Sequence, residues 1–253
     1  MQLESIQEQV ATLRDQGFVV VRGLLGAERV AALRACVVQQ LNESAAPLEY
    51  EADLRYPGAP VSRSARGGAT VRRLLDAYVR DPQLAAWATA PEVGDWLRHY
   101  FGTPAWLSRA HHNCVMTKHP TYGSLTGWHR DFRYWSFTQD ELVSTWLALG
   151  RETADNGGLW FVPGSHKIAF EPDAFDQEKF FRADRPDNAA LIASAYAPVL
   201  EPGDVVFFHC NTLHSAGKNT SDQVKFSLVY TYHGADNAAL PGTRSAAKPE
   251  VAL

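Results

Sequence analysis

Short apolar runs separated by glycine and proline turns fill residues 106–235, and this pattern constrains the fold more than any other. The turns include Asn156-Gly157-Gly158, Pro163-Gly164 and Pro202-Gly203-Asp204. Many short strands between such turns are typical of a β-sandwich or barrel. The predicted strands span residues 113–117, 143–149, 159–162, 205–208 and 226–232. We therefore expect an all-β core with flanking helices.

The first hundred residues show a different pattern, in which apolar residues recur every three or four positions. This spacing is typical of amphipathic helices, whereas the run 18–21 after Gly17 is predicted to be a buried strand. The predicted helices lie near residues 3–13, 30–41, 71–80 and 91–100. We expect one domain over 1–253, with a mainly helical flank at 1–105 and the β core at 106–235.

Two polar stretches are predicted to be loops. Residues 45–68 are rich in Pro, Gly, Ser and Arg, and long loops of this kind often act as lids. Residues 171–188 form a polar insert between predicted strands, for which a surface loop is the default and a substrate lid the alternative.

Charge and cysteine content exclude several classes of protein. The net charge of -4 and the absence of a basic stripe argue against nucleic-acid binding. Three widely separated cysteines predict neither a disulfide framework nor a zinc site, which favours a reducing, cytoplasmic location. The N-terminus lacks the apolar segment of a signal peptide, and no apolar run of roughly 18 residues predicts a membrane span. We expect a monomer or homodimer.

A His-x-Asp motif, His129 and Asp131, carries the main chemical signal. On a strand, residues i and i+2 point to the same face, so an imidazole and a carboxylate would lie side by side. A second histidine would complete a 2-His-1-carboxylate triad, which binds Fe(II) and leaves coordination positions open. His209 and His214 compete for this role. We favour His214, at a strand-to-loop edge, because His209 lies among apolar strand residues.

Several longer motifs extend this signal over most of the chain. They are Gly17–Leu25, His129–Asp131, Asn156–His166 and Gly203–His214 followed by Asn219 and Ser221. With these motifs the chain resembles the phytanoyl-CoA dioxygenase family of Fe(II)/2-oxoglutarate oxygenases. The resemblance implies a double-stranded β-helix (jelly-roll or cupin-like) and the iron ligands His129, Asp131 and His214. It also implies that Trp146 lies beside the co-substrate.

One residue departs from the family pattern. Eleven residues after the distal histidine the family usually has an arginine that binds the outer carboxylate of 2-oxoglutarate, and here that residue is Lys225. Lysine can form a charge-assisted hydrogen bond but lacks the two-pronged fork of arginine. Either Lys225 binds the carboxylate, or another 2-oxo acid is used, or another base such as Lys118 makes the contact. We favour the first; an edge-strand lysine is the structural alternative.

Further cavity residues are predicted from strand alternation. Arg133 lies two and four residues after Asp131 and His129, so on a strand it would point to the same face. It is therefore a candidate substrate contact, and His112 is a second candidate. Asn113 and Lys118 are candidate co-substrate contacts, with only some of this strand expected to face inward.

These observations predict an Fe(II)- and 2-oxoglutarate-dependent dioxygenase that hydroxylates a small organic molecule with O2, giving succinate and CO2. The carboxylate Asp131 favours hydroxylation, since related halogenases have a small residue there. Basic residues near the motifs, Arg133, Lys118 and Arg182, favour an anionic substrate. A metal-dependent isomerase or hydrolase and a non-catalytic binding barrel remain the alternatives.

Overall fold

The computed structural model describes residues 4–54, 56 and 58–253. The strands are β1 Phe18–Val21, β2 Leu48–Tyr50, β3 Val71–Leu75, β4 Ala105–Lys118, β5 Thr126–His129, β6 Leu142–Ala148, β7 Leu159–Phe161, β8 Val205–His209, β9 His214–Ala216, β10 Lys225–Gly234 and β11 Val251–Ala252. The helices are α1 Ile6–Gln16, α2 Ala27–Asn42, α3 Ala77–Arg80, α4 Pro82–Ala88, α5 Pro91–Phe101 and α6 Pro186–Ile192. None of the helices in these ranges has the length and apolar character needed to span a bilayer.

Two antiparallel sheets form the core. The larger sheet has the order β1-β8-β6-β10-β4-β3-β2, with β11 added beside β4. The smaller sheet has the order β5-β9-β7. Strands that are distant in sequence pair throughout, as in a jelly roll, and the expected fold class is confirmed.

The larger sheet is buried on both faces, and β10 shows how alternation achieves this. Leu228, Tyr230 and Tyr232 point to the helical side, while Val229 packs in the cluster between the two sheets. The hydroxyl of Tyr230 donates to the carbonyl of Leu84 at 2.9 Å, and that of Tyr232 donates to Ala88 at 2.8 Å. These bonds attach α4 to the sheet and satisfy polar atoms that burial would otherwise penalise.

The expected helix over 71–80 is wrong in its first half. Residues Val71–Leu75 form β3, which pairs with β2 on one side and with β4 on the other, and α3 begins only at Ala77. A short apolar run cannot be assigned to helix or strand by periodicity alone. Here the segment is a strand because the edge of β4 is available for pairing. The predicted loop 45–68 also contains β2 and a 3-10 turn at Glu51–Asp53.

The other early elements differ less from expectation. Helix α1 has a capping box between Ser5 and Glu8, and it ends at Gly17 in the left-handed conformation. Leu3, which contributed to the predicted helix, lies outside the described residues, as do positions 55 and 57 of the predicted loop. Helix α4 was not predicted. Because β1, β2 and β3 pair with later strands, residues 1–105 contribute to the β core as well as to the helical layer.

Truncation of Leu147 tests the packing of the larger sheet. Leu147 has 0% exposure and lies opposite Leu228 and Val205 on the neighbouring strands. Leu147→Ala should lower the free energy of unfolding by about 2–5 kcal/mol because it leaves a cavity. Equilibrium denaturation in urea measures this loss. The control Val61→Ala, at a side chain 95% exposed, should change it by less than about 0.5 kcal/mol. A loss below about 1 kcal/mol for Leu147→Ala would contradict the described packing.

Candidate active site

His129, Asp131 and His214 converge between the two sheets. His129 ends β5, His214 begins β9, and the two residues are direct partners across this antiparallel pair. Asp131 does not lie on the strand, as the motif suggested, but begins a 3-10 turn over Asp131–Tyr134. One nitrogen or oxygen of each side chain lies within 4.8 Å of the others. All three residues are buried. The turn therefore brings Asp131 beside the two histidines, which a position on the strand was expected to do.

Backbone carbonyls orient both imidazoles. Nδ1 of His129 lies 2.8 Å from the carbonyl of Gly127, and Nδ1 of His214 lies 3.0 Å from that of Thr212. A carbonyl can only accept, so each Nδ1 carries the proton and each Nε2 offers a lone pair. The Nε2 atoms lie 3.6 and 3.5 Å from Oδ1 of Asp131. This is the tautomer and orientation that a metal-binding histidine requires.

The carboxylate of Asp131 is buried with incomplete hydrogen bonding. Its Oδ2 has no hydrogen-bond partner among the described residues. Burial acts to raise the pKa of Asp131, but the neighbouring His112 and His214 hold it well below its usual value. A buried carboxylate oxygen without a hydrogen-bond partner is costly, and a cation bound at Oδ2 would satisfy it. The donor set therefore fits a divalent metal ion.

Both histidines of the triad are held neutral. Burial, with His129 beside it, lowers the pKa of His214 to about 3, and burial also lowers the pKa of His129. A metal ion binds the neutral imidazole and competes with protons for it. These histidines can therefore accept a metal at neutral pH without first losing a proton.

His112 contacts the triad directly. Its Nε2 lies 3.0 Å from Oδ1 of Asp131. Burial acts to lower the pKa of His112, but the carboxylate of Asp131 outweighs it and raises the pKa to about 9. Sequence reasoning proposed His112 as a substrate contact; the structure places it beside the proposed metal position.

A cavity of about 370 Å³ opens from the triad. This volume suits a small-molecule site. One end of the cavity is mainly apolar, and the other carries several arginines. The apolar wall consists of Met116, Trp146, Leu159, Phe208 and Val229.

The basic end of the cavity depends on a break in strand pairing. Asn113 pairs with Tyr230, but the next pair joins Ser108 to Thr231, so residues 109–112 bulge out of the ladder. Consecutive residues from Arg109 to Cys114 consequently line the cavity. Lys118, on the same strand, is not part of the lining, so only some of β4 faces the cavity, and the bulged residues do so without alternating.

Three arginines of the lining have no carboxylate partner in the part of the chain that the structure describes: Arg109, Arg133 and Arg244. The guanidinium of Arg109 stacks on Tyr78 at 5.3 Å, and that of Arg133 lies 4.2 Å from the ring centre of Phe180. Arg133 was predicted from its parity, whereas Arg109 and Arg244 were not. Arg182, another of the predicted cations, is not part of the cavity lining and binds Asp184 at an exposed position.

The remaining predicted contacts divide between the cavity wall and the interior. Trp146 and Asn113 line the cavity, and the side-chain oxygen of Asn113 accepts from the backbone of Tyr78 at 2.8 Å. Lys225 and Lys118 are buried and are not among the described residues of the wall. Nζ of Lys225 lies 3.1 Å from Oε2 of Glu152, a buried acid that sequence reasoning missed.

Comparison with known proteins agrees with the fold and the motifs. The sequence model of the phytanoyl-CoA dioxygenase family matches residues 13–227, which include all three triad residues. The chain belongs to the phytanoyl-CoA dioxygenase family. The resemblance inferred from the motifs is thereby confirmed.

Proteins with different names are similarly related to the chain. It is 26% identical to an ectoine dioxygenase of Bordetella bronchiseptica over 92% of this chain and 77% of that protein. It is 25% identical to the peroxisomal phytanoyl-CoA dioxygenase of Homo sapiens over 90% of this chain and 68% of that protein. The solved structure of the epimerase SnoN with Fe3+, alpha ketoglutarate and nogalamycin RO matches with a TM-score of 0.73 and 25% identity, covering 94% and 91% of the two chains.

Loss of the triad carboxylate should abolish tight metal binding. Asp131→Ala removes one ligand, and we expect Fe(II) affinity to fall by more than about 100-fold, because outer partners of a ligand alone contribute about 10- to 100-fold. Anaerobic titration with Fe(II) measures the affinity. His99→Ala is the matched control, since His99 is exposed and its ring binds the backbone of Asp95. Equal affinities of Asp131→Ala and the native chain would refute the metal site.

Proposed function

We propose that this protein is an Fe(II)- and 2-oxoglutarate-dependent dioxygenase that hydroxylates a small anionic molecule. The observation that carries the proposal is the buried triad, whose carboxylate oxygen lacks a partner among the described residues and whose two imidazoles offer Nε2. Membership of the phytanoyl-CoA dioxygenase family supports the same chemistry.

His129, Asp131 and His214 would hold the metal. Three protein ligands would leave coordination positions of the metal open for a 2-oxo acid and O2. When bound, Fe(II) and 2-oxoglutarate supply the oxidising chemistry: O2 gives one oxygen atom to succinate and one to the hydroxylated substrate, and CO2 is released.

The cavity residues would orient the reactants. Met116, Leu159 and Val229 exclude water from one side of the triad, beside Trp146. At the other side, the guanidinium groups of Arg109, Arg133 and Arg244 can bind a carboxylate or phosphate of the substrate through charge-assisted hydrogen bonds. Holding a substrate anion there would bring its C–H bonds toward the metal position.

Epimerisation is the second candidate reaction, because the structural relative SnoN is described as an alpha ketoglutarate dependent epimerase. The two reactions differ in their products. Hydroxylation with ¹⁸O2 adds one labelled oxygen to the substrate, whereas epimerisation leaves its mass unchanged.

The cysteines support a reducing compartment, and we place the protein in the cytoplasm as a monomer or homodimer. Cys36, Cys114 and Cys210 are all free thiols. Cytosolic proteins generally keep their thiols reduced, whereas secreted domains tend to pair them.

Anaerobic reconstitution tests the cofactor requirement. Fe(II) and 2-oxoglutarate together should produce a weak visible charge-transfer band, since chelation needs two adjacent open positions on the metal. His129→Ala should lose the band, and His99→Ala should keep it. Iron binding without a band for any 2-oxo acid would overturn the oxygenase assignment in favour of a metal-dependent isomerase or hydrolase. Binding of neither ligand would favour a non-catalytic barrel.

Removal of the unpaired guanidinium groups tests the substrate class. A panel of carboxylates, phosphates and uncharged analogues can be scored by the succinate formed under O2. With the best anion, Arg109→Gln and Arg244→Gln should each raise KM about 10- to 100-fold, the effect of losing one charge-assisted hydrogen bond, with a smaller change in kcat. Arg182→Gln, at an exposed arginine paired with Asp184, should leave KM unchanged. Preference for uncharged compounds would refute an anionic substrate.

A further inference from the structure

Glu152 is the centre of a buried polar cluster next to the apolar end of the cavity. The residue has 0% exposure. Its Oε1 accepts from the hydroxyl of Ser227 at 2.6 Å, and its Oε2 accepts from Nζ of Lys225 at 3.1 Å. The indole N–H of Trp146 donates to both oxygens, at 3.1 and 3.0 Å. Each carboxylate oxygen therefore already has two donors.

Lys225 belongs to the same cluster. Besides Glu152, its Nζ bonds to the hydroxyl of Ser227 at 2.9 Å and lies 4.8 Å from the centre of the Trp146 ring. A buried cation and anion in contact form a pair with no net charge, so a third charged group beside them meets a dipole rather than a full positive charge. Lys225 is the residue expected to bind the second carboxylate of 2-oxoglutarate. Its charge is already neutralised by the carboxylate of Glu152.

Two other basic residues, Lys118 and Arg72, lie near Lys225 and also have partners within the protein. Lys118 lies opposite Lys225 across the β4–β10 pair, and its Nζ donates to the carbonyl of Ser124 at 2.6 Å. Burial, with Arg72 and Lys225 nearby, lowers the pKa of Lys118 to about 7. Arg72 lies 3.2 Å from Glu51.

Arg73 lines the cavity as well, and its Nε lies 3.3 Å from Glu49. Arg109 and Arg244, near His111 in the bulged part of β4, have by contrast no carboxylate partner among the described residues. Along β4 the two ends lie on opposite sides of His112, which contacts the triad. The cavity thus has arginines without a carboxylate partner at one end, whereas Lys225, Arg72 and Arg73 beside the apolar wall each have a carboxylate within 3.3 Å.

We infer that the end of the cavity next to Trp146 is neutral, so that the second carboxylate of 2-oxoglutarate adds little affinity and monocarboxylic 2-oxo acids serve as co-substrates. The inference rests on the proposed function, which requires a 2-oxo acid. To reach Lys225, a second carboxylate would have to displace Glu152 or lie beside it. An apolar tail would instead meet Met116, Trp146, Leu159 and Val229.

Binding to the Fe(II)-loaded native chain tests this without any substitution. Calorimetric titration under anaerobic conditions would compare 2-oxoglutarate with 2-oxopentanoate, in which a methyl group replaces the second carboxylate. We expect their Kd values to agree within about fivefold. A free cation at this position would instead favour 2-oxoglutarate by roughly 10- to 100-fold.

Glu152→Gln should release Lys225. The amide keeps the size of the side chain and one acceptor but removes the negative charge. We expect Kd for 2-oxoglutarate to fall by about tenfold or more, and Kd for 2-oxopentanoate to stay unchanged. Glu171→Gln, at an exposed acid, is the control for a change in net charge and should alter neither value.

The outcomes separate this inference from the function on which it rests. A native preference for 2-oxoglutarate of more than about fivefold, or no gain on Glu152→Gln with circular dichroism unchanged, would overturn the inference alone. If neither 2-oxo acid binds to the Fe(II)-loaded native chain, the proposed function fails and the inference with it. If Glu152→Gln does not fold, the comparison of the two ligands on the native chain still decides the matter.

Discussion

The buried carboxylate of Asp131, facing three imidazoles, is the constraint on which the arrangement of the site depends. One oxygen lies within 3.0–3.6 Å of the histidine Nε2 atoms, and the other has no partner in the described part of the chain. Such an anion is tolerated in a protein interior only if positive charge compensates it. Most of the surrounding structure serves to hold the carboxylate and the imidazoles in place.

The sheets provide that support through pairings of very different sequence separation. His129 and His214 face each other because β5 pairs with β9, although 85 residues separate them. The smaller sheet is held in turn by apolar packing on the larger one, where Phe161 contacts Phe18 with ring centres 4.6 Å apart. Helices on the far side bury the other face, and the stack of Trp96 on Phe207 contributes to that contact. The geometry of the triad is therefore a consequence of the packed sheets rather than of a local loop.

Charge is distributed unevenly along the cavity. At one end, a bulge in β4 turns Arg109 and His112 into the cavity. Regular strand pairing would have turned part of this segment away from the cavity. At the other end regular pairing brings Lys225 next to Lys118, and the buried acid Glu152 offsets the repulsion between the two cations. A bulge re-aims side chains without breaking the sheet, and an ion pair makes a buried lysine tolerable. These two devices distribute charge differently at the two ends of one cavity.

The sequence by itself determined the β core, the metal motif and the choice of His214, because strand runs, turn residues and motif spacing are local or nearly local signals. It also places Lys225 directly before an apolar strand, where a buried cation needs an anion beside it. The identity of that anion, Glu152, was decided only by the tertiary structure, because the two residues lie 73 positions apart. The same holds for Arg109 and Arg244, which reach the cavity through a bulge and a C-terminal turn, and for Val71–Leu75, whose strand conformation depends on a partner. Local pattern can specify which side chains are available, but long-range pairing decides which of them meet.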